Sequence, residues 1–476
     1  MIRVAPAFLA VLLAAPVSAQ RGVPSDWQAA MNRINADSVR GHLSFLASDL
    51  LEGRATPSRG LDVAAEYIAA QFRRAGLKPP LGGGYYQSLD LREVAPDLEG
   101  FECRVQQTGG GDVVVRGVPY SKDGIAVDRE PLMPVADTTV TAPDAVLVYR
   151  GDVSKPQELM KLLGAGNAKL VIVVDPSGSM VRAVARPRVM ASTREPRLPV
   201  GRWLFVPSFP EALPPDARIT VRAKPLAVRP ISARNVAGLL RGSDPVLRDT
   251  YVVVSAHYDH EGIKPFGTGD RIYNGANDDA SGVTAVIELA DSFARLPQRP
   301  RRGILFVAFA GEENGLLGSR EFVRNPPVEL ARIVANINLE HLGRPDADGS
   351  NYIKKATVTG FDFSSIGATL TEAAGLAGFE FFKHEKYSDP FFAASDNYSF
   401  AQAGIPAHTV SNGYLFPEYH APGDHWEKID CENMAGLTRA LALGVLTIAD
   451  DARGPQWNEA NEKTEAFRKA AKGLAK

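Results

Sequence analysis

The sequence runs to 476 residues, 45% apolar and 23% charged, with a formal net charge of −2. A chain of that length can bury a large core and hold more than one domain, and its near-zero charge gives no reason to expect nucleic acid or an anionic membrane surface as a partner. Two cysteines, Cys103 and Cys431, allow one disulfide at most and exclude a thiolate metal site, so any metal must be held by His, Asp and Glu.

In chain order, Arg3 precedes an apolar run over residues 4–17 that ends in Val17-Ser18-Ala19. This is the pattern of a secretory signal over residues 1–19, with a mature chain beginning near Gln20. The run is short and broken by Pro6 and Pro16, so it does not read as a membrane span. No cysteine near the cleavage point offers a lipid anchor, and no second long apolar run follows. The expected product is exported, to the periplasm or outside the cell, with no membrane span.

Residues 37–46 and 60–75 carry helical spacing: Ala64, Ala65, Ile68, Ala69 and Phe72 recur at three and four residues, and Gly76 supplies a stop. Residues 97–230 differ in character. They are rich in Val, Pro and Gly, with β-like runs at 145–149 and 170–174 and a helix-like stretch at 155–163, as expected of a small domain inserted into a larger one. From Asn235 the pattern is strand, loop, helix, repeated: strands at 251–255, 304–309 and 333–339, helices at 283–296 and 319–324. Continuous apolar strands alternating with helices predict an α/β fold with a mixed, largely parallel sheet flanked by helices. The predicted domains are a catalytic domain in two parts, 20–96 and 231–453, the insertion at 97–230, and a charged, Ala-rich helical tail at 454–476.

The candidate chemistry sits where these strands end. Seven of the eight histidines lie between residues 257 and 425. The 251–255 strand runs into His257-Tyr258-Asp259, which places His257 beyond the carboxyl end of a strand, where ligands gather in such sheets, with Asp259 available to orient the imidazole. A structural, hydrogen-bonded histidine has the same signature. Asp278-Asp279 lies in a Gly/Asn-rich loop ahead of a helix; it reads either as a turn with a helix cap or as a carboxylate able to bridge two cations. Glu312-Glu313 follows the next strand. Two adjacent glutamates repel, and a divalent cation on one would leave the other, its pKa raised, as a general base; a solvated acidic loop is the plain alternative. Glu340 ends the third strand among apolar residues, where a cation or a buried salt bridge would offset its burial. Tyr419-His420, with Asp424 close by, completes the series. There is no G-x-S-x-G elbow, H-E-x-x-H helix or P-loop.

Together these segments resemble metallopeptidase family 28, the co-catalytic di-zinc exopeptidases that include aminopeptidases. The resemblance extends to Leu46-Ala47-Ser48-Asp49 with Glu52-Gly53-Arg54, to Asn235-Val236-Ala237-Gly238, and to Ser395-Asp396 and Gly404-Ile405-Pro406. The insertion, at 146–150 and 165–174, resembles the protease-associated domain often found within this family's fold. What the resemblance implies is a zinc exopeptidase (phosphorylase/hydrolase-like) fold holding two Zn2+ ions. His257 and Glu340 would serve one zinc, Glu313 and His420 the other, and Asp278 would bridge both. Glu312 would be the general base, Asp259 would orient His257, and Tyr419 would steady the oxyanion. The expected substrates are peptides with a free N-terminus. Glu340 stands where the family most often has Asp. Among rival readings, a carboxypeptidase or dipeptidase of the same family differs only in pocket residues, with Tyr387, Phe391, Phe392 and Tyr414 as candidate lining. A glutaminyl cyclase would need one zinc, whereas His257 and Glu340 favour two. A receptor-like ectodomain would be expected to have lost ligands, and here all five positions and the base are filled.

Overall fold

The computed structural model describes residues 22–80, 82, 84–106, 111–135, 142–153, 168–264, 268–346 and 352–474. The signal segment and the helix expected at 155–163 lie outside these residues.

The apolar runs form the strands expected of them. Tyr251–His257, Gly303–Phe309, Ile333–Leu339 and Ala407–Ser411 are adjacent, mutually parallel strands at the centre of a nine-stranded sheet. Their alternate side chains feed two separate cores: Val252, Val254, Ile304 and Phe306 pack on one face, Val253, Leu305, Val307 and Phe309 on the other. Burial on both faces explains why residues 251–254 and 304–309 are continuously apolar rather than alternating, each large side chain contributing about 1.5–3 kcal/mol. Helices Ala36–Leu46, Arg59–Arg74, Ser281–Ala294 and Cys431–Asp450 cover the first face, and Leu317–Arg324, Asn397–Gln402 and the tail helix Glu465–Leu474 the second. On both sides of these four the next strand pairs antiparallel, although the outermost pair, Lys355–Val358 with Glu380–Phe382, is parallel. Lys355–Val358 and Glu380–Phe382 lie beyond Ala407–Ser411; Ala227–Leu240, Tyr86–Ala95 and Arg188–Ala191 lie beyond Gly303–Phe309.

A second, eight-stranded sheet spans Glu102–Gln106 to Arg218–Ala223, with cores of its own on its two faces. The chain leaves the first sheet at Ala95 and returns at Ala227, and those two residues are paired across the sheet. The departure and return points of the insertion are therefore neighbours. One strand of this segment, Arg188–Ala191, crosses back to pair with Tyr86–Ala95 at the edge of the first sheet.

The tail docks closely. Trp457 donates to the Gly404 carbonyl at 2.8 Å and stacks on Phe467. Gly404, at φ +94°, presses against the backbone of Ala470 and Ala471, leaving no room for a Cβ. Cys103 and Cys431 are both free and buried in different cores, so they do not pair. No described helix is long and apolar enough to cross a membrane.

Candidate metal centre

Because the central strands are parallel, their carboxyl ends share one edge of the sheet, and the loops leaving them converge there. Tyr251–His257 ends in His257, Gly303–Phe309 leads to Glu312 and Glu313, Ile333–Leu339 to Glu340, and the loop after Ala407–Ser411 to Tyr419 and His420. Asp278 arrives from the turn before Ser281–Ala294. His257, Asp278, Glu313, Glu340 and His420 thus meet from loops far apart in the chain.

The ligand atoms fall into two triads sharing one carboxylate. His257 Nε2 lies 3.2 Å from Asp278 Oδ1 and 3.4 Å from Glu340 Oε1. His420 Nε2 lies 3.2 Å from Asp278 Oδ2 and 3.4 Å from Glu313 Oε2. Asp278 therefore presents one oxygen to each side. The longer arm of Glu340 reaches its position, with its main-chain N–H donating to Val410.

The side chains fit divalent cations on their own evidence. His257 Nδ1 is 3.1 Å from the main-chain carbonyl of Asp259, an acceptor only, so Nδ1 carries the proton and Nε2 turns a lone pair towards two carboxylates. That Nε2 is buried and has no hydrogen-bond partner among the described residues. A lone pair facing carboxylate oxygens is repulsive unless a proton or a cation lies between them. Without a metal, protons take that place: burial opposes charge on His257, but Glu312, Asp278 and Glu340 outweigh it and raise its pKa well above the ordinary value. An N/O donor set of imidazoles and carboxylates suits zinc.

The adjacent glutamates are pushed apart. Burial, together with Glu340 and Glu313, lifts Glu312 well above the carboxylate range despite His257. Burial and Asp278 also act on Glu313, yet a 2.7 Å hydrogen bond from His260 and the charge of His420 bring it below that range. Two neighbouring carboxyl groups with opposite shifts are suited to different tasks, Glu313 to ligation and Glu312 to proton transfer. Glu312, Glu340, Tyr419 and His420 line a cavity of about 390 Å3, with Phe391 and Tyr414 on its wall. Of the other aromatic candidates, Tyr387 packs on Phe391 and Tyr414, while Phe392 is a core residue against Phe363. The Tyr419 ring stacks on His420, and burial with the surrounding carboxylates raises its phenol pKa, which keeps it a hydrogen-bond donor.

Asp259 contacts both His257 and the loop of Glu312. Its backbone carbonyl orients His257, while its carboxylate sits 3.9 Å from Nδ1 and accepts from the Glu312 N–H at 3.1 Å. It thereby ties the base's loop to the ligand strand.

Several further residues support the site. Asp424 Oδ2 accepts from the N–H groups of Asn277 and Asp278 at 2.9 and 3.1 Å, fixing the bridging loop. His341 Nε2 stands 3.5 Å from Asp278 Oδ1; burial opposes its charge, but Asp278 and Glu340 push its pKa to about 9. Arg54 is fully buried beneath the carboxylates. Its guanidinium donates to the carbonyls of Tyr258 at 2.9 Å, Asn274 at 2.7 Å, Gly275 at 2.9 Å and Leu46, bracing both ligand loops. Burial lowers its pKa to about 10, against Asp259, Asp278 and Asp424, so it remains charged at neutral pH. To deliver it, Glu52, Gly53 and Arg54 all adopt positive φ, and Gly53 has the Gly262 and Tyr273 carbonyls 2.5 Å from where a Cβ would stand. The signal available in the sequence was the Glu52-Gly53-Arg54 block itself.

Fold and site together gather imidazoles and carboxylates in a set that fits divalent cations. Residues 235–445 match the profile of peptidase family M28. It is similar to the aminopeptidase YwaD of Bacillus subtilis (strain 168), 27% identical over 327 residues that cover 67% of this chain and 66% of that protein. A "Probable zinc metalloprotease" of Pyrenophora teres f. teres (strain 0-1) is 39% identical over 121 residues, 25% of this chain; the chain spans 24% of that relative's length. The fold is shared with solved aminopeptidases. The zinc aminopeptidase from Bacillus subtilis superposes with a TM-score of 0.58 at 22% identity, covering 88% of this chain and 96% of that one. The aminopeptidase from Aneurinibacillus sp. strain AM-1 superposes with a TM-score of 0.55 at 18% identity, covering 88% and 95%.

Proposed function

We propose that the protein is an exported zinc aminopeptidase that holds two Zn2+ ions and releases N-terminal residues from peptides. The observation that carries this reading is the pair of triads joined by Asp278, with the unpartnered lone pair of His257 aimed between carboxylates. His257, Asp278 and Glu340 would hold one ion and His420, Asp278 and Glu313 the other. When bound, such ions polarise a carbonyl and lower the pKa of water towards neutrality.

The chain's own groups do the rest. Glu312 removes a proton from the attacking water and passes it to the departing amine, a task suited to a carboxyl group whose pKa is raised towards the working pH. Tyr419, a neutral phenol on the cavity wall, donates a hydrogen bond to the developing oxyanion. Asp259 keeps Glu312 and His257 in register. The carboxylates lining the cavity attract a substrate ammonium, which favours free N-termini over internal bonds.

Export rests on Arg3, the apolar run that follows and the small residues before Gln20. The second sheet is read as a protease-associated domain. Its entry and exit at the paired residues Ala95 and Ala227 are those of an insertion into one hairpin.

The test is zinc content per chain together with hydrolysis of aminoacyl anilides, free and N-blocked. Two zincs and cleavage of free-amine substrates alone are expected; one zinc or none, with every anilide intact, would overturn the reading. Glu312→Gln should lower kcat by about 10³-fold or more with zinc content unchanged.

A further inference from the structure

The cavity over the metal centre is not closed. Gly315 and Arg320 line it and also line a neighbouring groove of about 480 Å3, so the two spaces meet at these residues. One wall of the groove is the helix Leu317–Arg324; the other is Val189–Arg194, contributed by the inserted segment where its Arg188–Ala191 strand joins the first sheet.

Along this path arginines join the acidic lining, the groove carrying Arg194, Arg320 and Arg324 beside Asp90 and Glu321. Over the metal centre the lining is acidic: Asp278, Glu312, Glu313 and Glu340. At the junction stands Arg320, exposed, and further out Arg194; among the described residues neither guanidinium has an ion pair or a side-chain hydrogen bond. Other arginines close by are engaged, Arg324 by Glu321 at 3.3 Å and Arg92 by Glu195 at 3.5 Å. An unpaired guanidinium on the lip of an otherwise acidic cavity suits a ligand that is positive at one end and negative at the other.

We propose that the groove receives the part of a peptide substrate beyond the scissile bond, and that Arg320 binds a carboxylate there, with Arg194 adding to the field. This rests on the peptidase reading above and deepens it: preferred substrates carry a free ammonium at the metal centre and a carboxylate a residue or two downstream. That carboxylate has two sources, an acidic side chain after the cleaved bond or the C-terminus of a very short peptide.

Four substrates separate them: Leu-Ala-Ala-amide, Leu-Ala-Ala with a free C-terminus, Leu-Asp-Ala-amide and Leu-Asn-Ala-amide. The zinc-loaded protein should favour a carboxylate peptide over its neutral counterpart by about three- to tenfold in kcat/KM, expressed mainly in KM. The side-chain source predicts preference for Asp over Asn; the terminal source predicts preference for the free acid over the amide. Arg320→Gln should bring the favoured ratio close to one, and Arg320→Glu should invert it towards Leu-Lys-Ala-amide. Equal ratios in the unaltered protein and in Arg320→Gln would overturn the proposal while leaving the peptidase intact. Should none of the four be cleaved, the peptidase reading fails. Calorimetric binding of the same peptides then decides the groove by itself, a carboxylate preference lost in Arg320→Gln supporting it and an absent preference refuting it.

Discussion

At the carboxyl end of Leu170–Val174 in the second sheet, Asp175 is fully buried, and at the carboxyl edge of the first sheet so is Asp278. Asp175 is locally satisfied: its oxygens accept from the Met180 N–H at 2.7 Å, the Val181 N–H at 3.3 Å and the Ser177 hydroxyl at 2.6 Å, closing the start of Ser179–Ala185. Asp278 instead points each oxygen at an imidazole from a different loop. Both sheets contain four adjacent parallel strands. A shared strand pattern does not make a site; what does is carboxylates left facing other ligands rather than their own backbone.

The sharpest break in this comparison is Asp278→Asn. With the shared carboxylate neutralised, both triads lose a charge, so zinc content should fall and turnover drop by about 10³-fold or more, read by metal analysis beside an anilide assay. Retained zinc and retained turnover would show that Asp278 is a structural aspartate of the same kind as Asp175.

Next in size is Arg54→Met. It removes donors to four carbonyls and the buried cation under the carboxylates, while a methionine fills much of the volume. A loss of about 3–5 kcal/mol in unfolding free energy is expected, measured by denaturant titration of the zinc-free protein. A loss below about 1 kcal/mol would mean the loops are braced by something else.

The sequence shows the ligands more readily than their supports, for a physical reason. His257, Glu312, Glu313 and Glu340 stand directly after buried apolar strands, so residue type and position coincide. Arg54 acts on Tyr258, Asn274 and Gly275, more than 200 positions away, and no local pattern announces such a contact. The same contrast holds for strands. Residues 251–254 are continuously apolar, whereas Ala227–Leu240 contains Pro230 and charged residues along its outer half and was not visible as a strand. Arg188–Ala191, with four residues, is too short to show a period, although it builds one wall of the groove.

A smaller effect separates the buried histidines. His408, away from the metal centre, holds Nδ1 2.7 Å from the Thr359 carbonyl and Nε2 2.6 Å from the Ser364 hydroxyl, and burial lowers its pKa to about 4. The unfolded chain binds the proton more readily, so this group's stabilisation is complete above the unfolded pKa, near 6.5, and is lost as pH falls through about 4. The shift corresponds to ~3 kcal/mol. His408→Gln should flatten the stability profile between pH 6.5 and 4 relative to the unaltered protein; an unchanged slope would show that His408 does not carry it.

The smallest effect returns to the two sheets. Asp175→Asn keeps the shape of the cap at the start of Ser179–Ala185 but removes the negative charge that its N–H groups favour, at a cost of about 1 kcal/mol or less. Arg186, one residue beyond that short helix, donates to Glu261 at 2.5 Å, and Glu261 lies 3.9 Å from His420 Nδ1. A loosened helix can therefore reach the metal centre through this partly exposed pair, worth about 1 kcal/mol at most. Asp175→Asn should accordingly lower the melting temperature slightly and leave zinc content and kcat where they were. A loss of turnover beyond about fivefold would mean the second sheet positions His420 through Arg186 and Glu261, and the division between a structural sheet and a reactive one would have to be redrawn there.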